Sequence, residues 1–109
     1  MDDFNQDIEE EIAEEARKTK ILITGGAGYL GSILTEMLVK RGFNVTVIDN
    51  LLYFQNPFFN LFHYPNFRFI FGDVTNENFM KEILSKDNYD YIFPLAAIVG
   101  FQISEVKPE

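Results

Sequence analysis

Apolar side chains follow two different rhythms along this chain, and the change between them falls at Lys20. Before it, Phe4, Ile8, Ile12 and Ala16 recur at every fourth position, which predicts an amphipathic helix over residues 2–19 with one narrow apolar stripe. Acidic residues fill its first three turns, and Arg17, Lys18 and Lys20 close it, an arrangement that suits the helix dipole. We read it as a solvated extension that packs a few side chains on the rest of the chain. The alternative is a helix that meets a partner or a second copy.

After Lys20 the apolar residues come in short, nearly continuous runs. Lys20-Ile21-Leu22-Ile23-Thr24 has the character of a strand covered on both faces. Asn44-Val45-Thr46-Val47-Ile48-Asp49 and Phe67-Arg68-Phe69-Ile70-Phe71 predict a second and a third strand, and residues 89–97 a fourth. Between the first two strands, Ile33, Leu34, Met37 and Leu38 fall at helical spacing over residues 32–41, and Gly42 is a natural stop. A further helix is expected over about 76–86, with Phe79, Ile83 and Leu84 inward; Ile98 onward is expected to begin another. Residues 51–66, rich in Phe and Tyr and carrying Pro57 and Pro65, predict a long connection packed by its own rings, with one helical turn at most. Strands alternating with helices imply an α/β fold. We expect a doubly wound parallel sheet of four strands in the order 3-2-1-4.

Composition narrows the partners. The net charge is −8, of which residues 1–20 hold −5. An acidic surface repels phosphate backbones and anionic lipid, so neither nucleic acid nor a membrane is an expected partner. The acidic start is not a secretory signal, and no apolar run is long enough to span a bilayer, so a cytoplasmic protein is expected. The chain has no cysteine and one histidine, His63, which leaves no thiolate chemistry and no multi-histidine metal site within one chain. No metal is expected.

The glycines carry the candidate chemistry. Thr24-Gly25-Gly26-Ala27-Gly28-Tyr29-Leu30-Gly31 leaves a strand and enters an amphipathic helix, the context a dinucleotide phosphate loop requires. Gly25 permits the tight exit, Gly28 lets backbone approach a pyrophosphate, and Gly31 lets the helix pack close to the sheet. The helix N-terminus then faces the phosphates. Asp49 ends the second strand, where a carboxylate accepts hydrogen bonds from the adenosine ribose and repels the 2′-phosphate of NADP. The nearest basic residues in sequence, Lys40 and Arg41, end the preceding helix, so NAD is the expected cofactor. Gly72-Asp73-Val74 follows the third strand at the same edge, within reach of an adenine amino group.

Together with Asp49-Asn50-Leu51 and Leu95-Ala96-Ala97, these motifs resemble the extended short-chain dehydrogenase/reductase family, within it the NAD-dependent nucleotide-sugar epimerases and dehydratases. The resemblance runs from Lys20 to Glu109. It implies a Rossmann-like NAD-binding domain over 20–109, incomplete relative to the family, after an acidic helical extension over 1–19. It also implies that Gly25, Gly28, Tyr29 and Leu30 contact the pyrophosphate, with Gly31 behind them. Asp49 and Asn50 would hold the ribose, Asp73 and Val74 the adenine, and Leu95, Ala96 and Ala97 would line the path toward the nicotinamide.

Members of that family oxidise a sugar hydroxyl by hydride transfer to NAD, using a tyrosine activated by a lysine four residues later. None of the five tyrosines here has that lysine; the residues four on are Ile33, Pro57, Arg68, Phe93 and Leu95. Tyr64 with Arg68 is the nearest imitation, and guanidinium is not an equivalent partner. No catalytic residue is therefore assigned, and the expectation is a truncated or split NAD-binding portion without turnover of its own. A nucleotide-sugar enters only where a C-terminal part completes the site. The alternative is a non-catalytic nucleotide-binding or protein-interaction module. The fourth strand's edge and the N-terminal helix are the two surfaces on offer for self-association. Pro94 stands where many relatives carry histidine, and a proline there suits an edge strand.

Overall fold

The computed structural model describes residues 2–25, 28–51 and 58–95. Helix α1 spans Asp2–Lys18, strand β1 Lys20–Thr24, helix α2 Tyr29–Lys40 and strand β2 Asn44–Asp49. A single 3₁₀ turn at Phe59–Leu61 precedes β3 (Phe67–Phe71), α3 (Glu77–Lys86) and β4 (Tyr91–Pro94). The four strands are parallel and lie in the order β3-β2-β1-β4, as the sequence pattern predicts. β1 and β2 match their expected bounds, and so does β3.

In-register pairing puts Ile21, Val45 and Phe67 in one row across the sheet, and Ile23, Val47 and Phe69 in the next. Side chains alternate along each strand, so both rows face the same side. There they form the main core with Val39, Phe58 and Leu61. Leu22 and Ile48 point to the opposite face and are buried too, which accounts for the continuous apolar character of β1 and β2.

The helix α2 starts three residues earlier than the periodicity predicts, because the end of the glycine loop supplies its first turn. The face it turns to the sheet carries Gly31, Thr35 and Val39, one every fourth residue, with Leu34 and Leu38 beside it. Two small residues on that face allow the close approach expected of Gly31. Ile33 and Met37, members of the same apolar stripe, are exposed. At its far end the Gly42 N–H donates to Val39 O (3.0 Å) and the Phe43 N–H to Leu38 O (3.1 Å). This is the paired bonding of a Schellman stop, with Gly42 in the left-handed region at φ 98°.

In its described part the aromatic connection packs on the rings of β3 rather than mainly on its own. Phe58 is fully buried, its ring 5.4 Å from that of Phe67 and 5.9 Å from that of Phe69. Asn66 then fastens the segment to α2: its amide donates to Val39 O (3.0 Å) and Phe43 O (2.6 Å), while its carbonyl accepts from Val45 N (2.9 Å).

Three further expectations are corrected. Among the described side chains of α1 only Ala16 is buried, while Phe4, Ile8 and Ile12 are exposed, so the stripe does not pack along the described part of the domain. Among the described residues, the hydrogen bonds that hold the helix to the domain lie at its C-terminal end. The Asn44 amide donates there to Arg17 O (2.6 Å) and to Thr19 O (3.3 Å). On α3, Phe79 and Ile83 are half-buried but Leu84 is exposed, since its angular position carries it off the side that Phe79 and Ile83 share. Strand β4 begins at Tyr91 rather than at residue 89. Asp90 ends the approach by bracketing the Lys20 backbone, accepting from Lys20 N and donating to Lys20 O, both at 2.8 Å. Among the described residues β4 is an edge strand, and Pro94, its last residue, is exposed. The helix expected from Ile98 lies outside the described residues.

Candidate functional site

The carboxyl ends of β1, β2 and β3 are bonded into one continuous edge. Gly25 N donates to Ile48 O (2.8 Å), and Gly72 N donates to Asp49 O (3.1 Å), so the residues that leave each strand extend the ladder by one more step. Gly25 does this at φ 74°, a conformation that L side chains rarely adopt, which is the physical requirement for glycine at the strand exit.

Gly28 is the N-cap of α2, with extended backbone and no side-chain cap. The first N–H groups of a helix have no acceptor within it, and the first bond of the helical ladder runs from the Ser32 N–H to Gly28 O at 2.8 Å. A Cβ built on Gly28 would meet nothing within 4 Å. A side chain added at this position, beside the helix N-terminus, would therefore meet no described atom in van der Waals range. Tyr29 and Leu30, the first two helical residues, are exposed at this end, and Gly31 is buried against the sheet.

Asp49 is half-buried. One carboxylate oxygen accepts from Leu51 N at 2.8 Å, and this local turn holds Leu51 at φ 51°. Asn50 is exposed between them. Asp73 forms a matching turn at the end of β3: its Oδ1 accepts from Thr75 N (2.9 Å) and from the Thr75 hydroxyl (2.7 Å). The hydroxyl bond, then the backbone bond, hold the Asp73 carboxyl below the usual carboxylate range. Val74 is half-buried beside it. Leu51 was given no role of its own within the Asp49-Asn50-Leu51 motif, and Thr75 was not singled out, although an aspartate two residues upstream of each is the signature of such a turn.

The structure thus brings Gly25, Gly28, Tyr29, Leu30, Gly31, Asp49, Asn50, Asp73 and Val74 to the same edge of the sheet. Leu95 follows β4 at that edge and is half-buried against the core. Ala96 and Ala97 lie outside the described residues, as do Gly26 and Ala27. Lys40 and Arg41 sit at the other end of α2, where Lys40 pairs with Glu36 at 2.7 Å, far from Asp49 along the helix. Tyr64 and Arg68 belong to the amino-terminal side of β3. Tyr64 packs on the core there, and Arg68 stands 3.8 Å from Asp87, so this pair is no part of the edge.

Four parallel strands in this order, with a glycine loop between β1 and α2, define a Rossmann-like α/β domain. The chain belongs to the NAD dependent epimerase/dehydratase family, whose model matches residues 21–109. It is 38% identical over 90 residues to the UDP-N-acetyl-alpha-D-glucosaminuronate decarboxylase of Bacillus cytotoxicus, covering 83% of this chain and 27% of that protein. Among solved structures, the epimerase Mth375 of Methanothermobacter thermautotrophicus superposes with a TM-score of 0.61 at 37% identity, over 77% of this chain and 25% of that one. The enzyme WbmH of Bordetella bronchiseptica, solved in complex with NAD+, gives a TM-score of 0.60 at 28% identity, over 68% of this chain and 24% of that one. The chain thus spans about a quarter of the length of these relatives. The cofactor of the family is NAD. No helix among the described residues is long and apolar enough to cross a membrane.

Proposed function

We propose that this chain is the NAD-holding portion of a nucleotide-sugar epimerase or dehydratase, and that it binds the cofactor without turning over sugar by itself. The observation that carries this reading is the joined edge: Gly25 is tied to Ile48 and Gly72 to Asp49 by backbone bonds, beside an uncapped helix N-terminus at Gly28. On this reading the α2 N–H groups and Gly28 receive the pyrophosphate. Asp49 accepts from a ribose hydroxyl, and Asp73 and Val74 border the adenine. Leu95 to Ala97 lead toward the nicotinamide. Asp49 also sets the cofactor preference, since a 2′-phosphate placed there would meet a carboxylate.

NAD supplies a hydride acceptor when bound. None of the tyrosines in these 109 residues has a lysine four positions on to make it a base, so a sugar substrate depends on groups that this sequence does not contain. We further assign residues 1–19 to an extension and 20–109 to the cofactor domain. An acidic, cysteine-free chain of this family fits the cytoplasm.

Calorimetric competition between NAD and NADP tests the site. The intact chain should prefer NAD, and Asp49→Ala should weaken NAD by roughly ten- to a hundredfold, the loss of a charged hydrogen bond worth about 1.5–3 kcal/mol. Equal affinity for the two cofactors in the intact chain would remove Asp49 from the reading. Turnover of a UDP-sugar by this chain alone would overturn the claim that it lacks a base.

A further inference from the structure

The apolar stripe of α1 stands clear of everything else that is described. Phe4 is 59% exposed, Ile8 43% and Ile12 61%, whereas Ala16, the last member of the same row, is fully covered by the domain. The C-terminal end of the helix is bonded to β2 through Asn44, so the stripe is carried outward from a fixed base. Surface apolar residues scattered singly need no explanation, but three in one row on one helix form a patch.

Two features decide what could cover it. Residues 2–15 contain eight acidic side chains and no basic one, so a second copy of α1 laid against the first would face it with like charge. The apolar residues also recur strictly at every fourth position. A coiled-coil seam alternates steps of three and four; a row of fours instead forms an inclined ridge that crosses its neighbour at about −50°. Both point away from a zipper of identical helices.

We propose that α1 is a docking helix for a separate protein, whose site is an apolar groove or helix face rimmed by lysine and arginine. Phe4, Ile8 and Ile12 enter the apolar floor, and the flanking carboxylates meet the basic rim. Docking of this kind is independent of the NAD reading, because the stripe is borne on an element outside the glycine-loop edge.

The test uses the intact chain and a labelled amphipathic helix of leucine and lysine as the probe. Its controls are a scrambled peptide of the same composition and a glutamate-for-lysine version. Fluorescence anisotropy should show binding of the amphipathic cationic peptide at low salt, and at least tenfold weaker binding of both controls. Affinity should fall at least tenfold between about 50 and about 500 mM salt, as charge screening requires. The double variant Ile8→Ala/Ile12→Ala keeps helix propensity and touches no buried residue; it should bind at least tenfold more weakly with unchanged circular dichroism. Equal binding of the scrambled peptide, or no effect of the double variant, would reduce the interaction to plain charge attraction and overturn the proposal. Sedimentation as a dimer that the double variant dissociates would also overturn it, by making a second copy the occupant.

Discussion

A methyl group placed on Gly72 would collide with the ring of Phe79, so the turn after β3 and the first turn of α3 are packed backbone against ring. Gly72 is also the residue whose N–H closes the ladder onto Asp49, which couples this packing to the candidate site. Gly72→Ala must displace the ring or the turn, and we expect a loss of about 1–3 kcal/mol in urea unfolding. Phe79→Leu in the same chain should recover part of it, giving a coupling of about 1 kcal/mol in a double-mutant cycle. Additive effects would mean that the two residues do not share the space.

Gly28 makes the opposite prediction. Its φ of −71° suits any residue, and nothing lies within 4 Å of a Cβ added there. Gly28→Ala should therefore change stability by less than about 1 kcal/mol, the scale of an N-cap substitution. Gly28→Val, which adds bulk beside the N-terminus of α2, should weaken NAD at least tenfold while leaving the melting temperature nearly unchanged. A matching loss of stability would show that Gly28 is a structural glycine.

Asn66 holds two backbone carbonyls, those of Val39 and Phe43, with one side-chain amide. Removing the donor in Asn66→Ala should cost about 1 kcal/mol by leaving two half-buried carbonyls with one bond fewer each. Asn66→Asp should cost more, because a carboxylate would then face two carbonyl oxygens. Chemical unfolding of the three proteins side by side gives the ranking.

Asp73 provides a pH signature. Its bonds from Thr75 lower the carboxyl pKa in the folded chain relative to the unfolded one. The stability that this adds is fully present above the ordinary carboxylate range and is lost as pH falls through the lower, folded value, because the unfolded chain takes up its proton first. Asp73→Asn should flatten the acid limb of a plot of unfolding midpoint against pH. Thr75→Val should flatten it too, since it removes the stronger of the two bonds. An unchanged limb in both variants would mean that other carboxylates account for the acid sensitivity.

The sheet and the glycine loop were the most legible parts of this chain. β1, β2 and β3 are short runs of β-branched and aromatic residues buried on both faces or paired at an edge, so composition alone bounds them. Gly25 and Gly42 were legible because each position needs a left-handed backbone that glycine supplies best. What periodicity does not carry is the identity of whatever lies opposite an apolar stripe. The rows of α1 and α3 have the right spacing, yet Phe4, Ile8, Ile12 and Leu84 are exposed, and the sheet-facing row of α2 includes Gly31 and Thr35. Phe58 was hidden for a related reason. It is one ring among many in an aromatic segment, and only its contact with Phe67 and Phe69 sets it apart. Asn66 could not be read at all, since its role depends on two carbonyls more than twenty residues away.

The central claim is that the edge formed by Gly25, Gly28, Asp49 and Asp73 holds NAD. Isothermal titration of NAD into this chain tests it most directly. Saturable binding at one site, with a dissociation constant below about a millimolar, is the predicted result. No heat and no saturation with millimolar NAD, from a chain whose circular dichroism shows it folded, would contradict the claim.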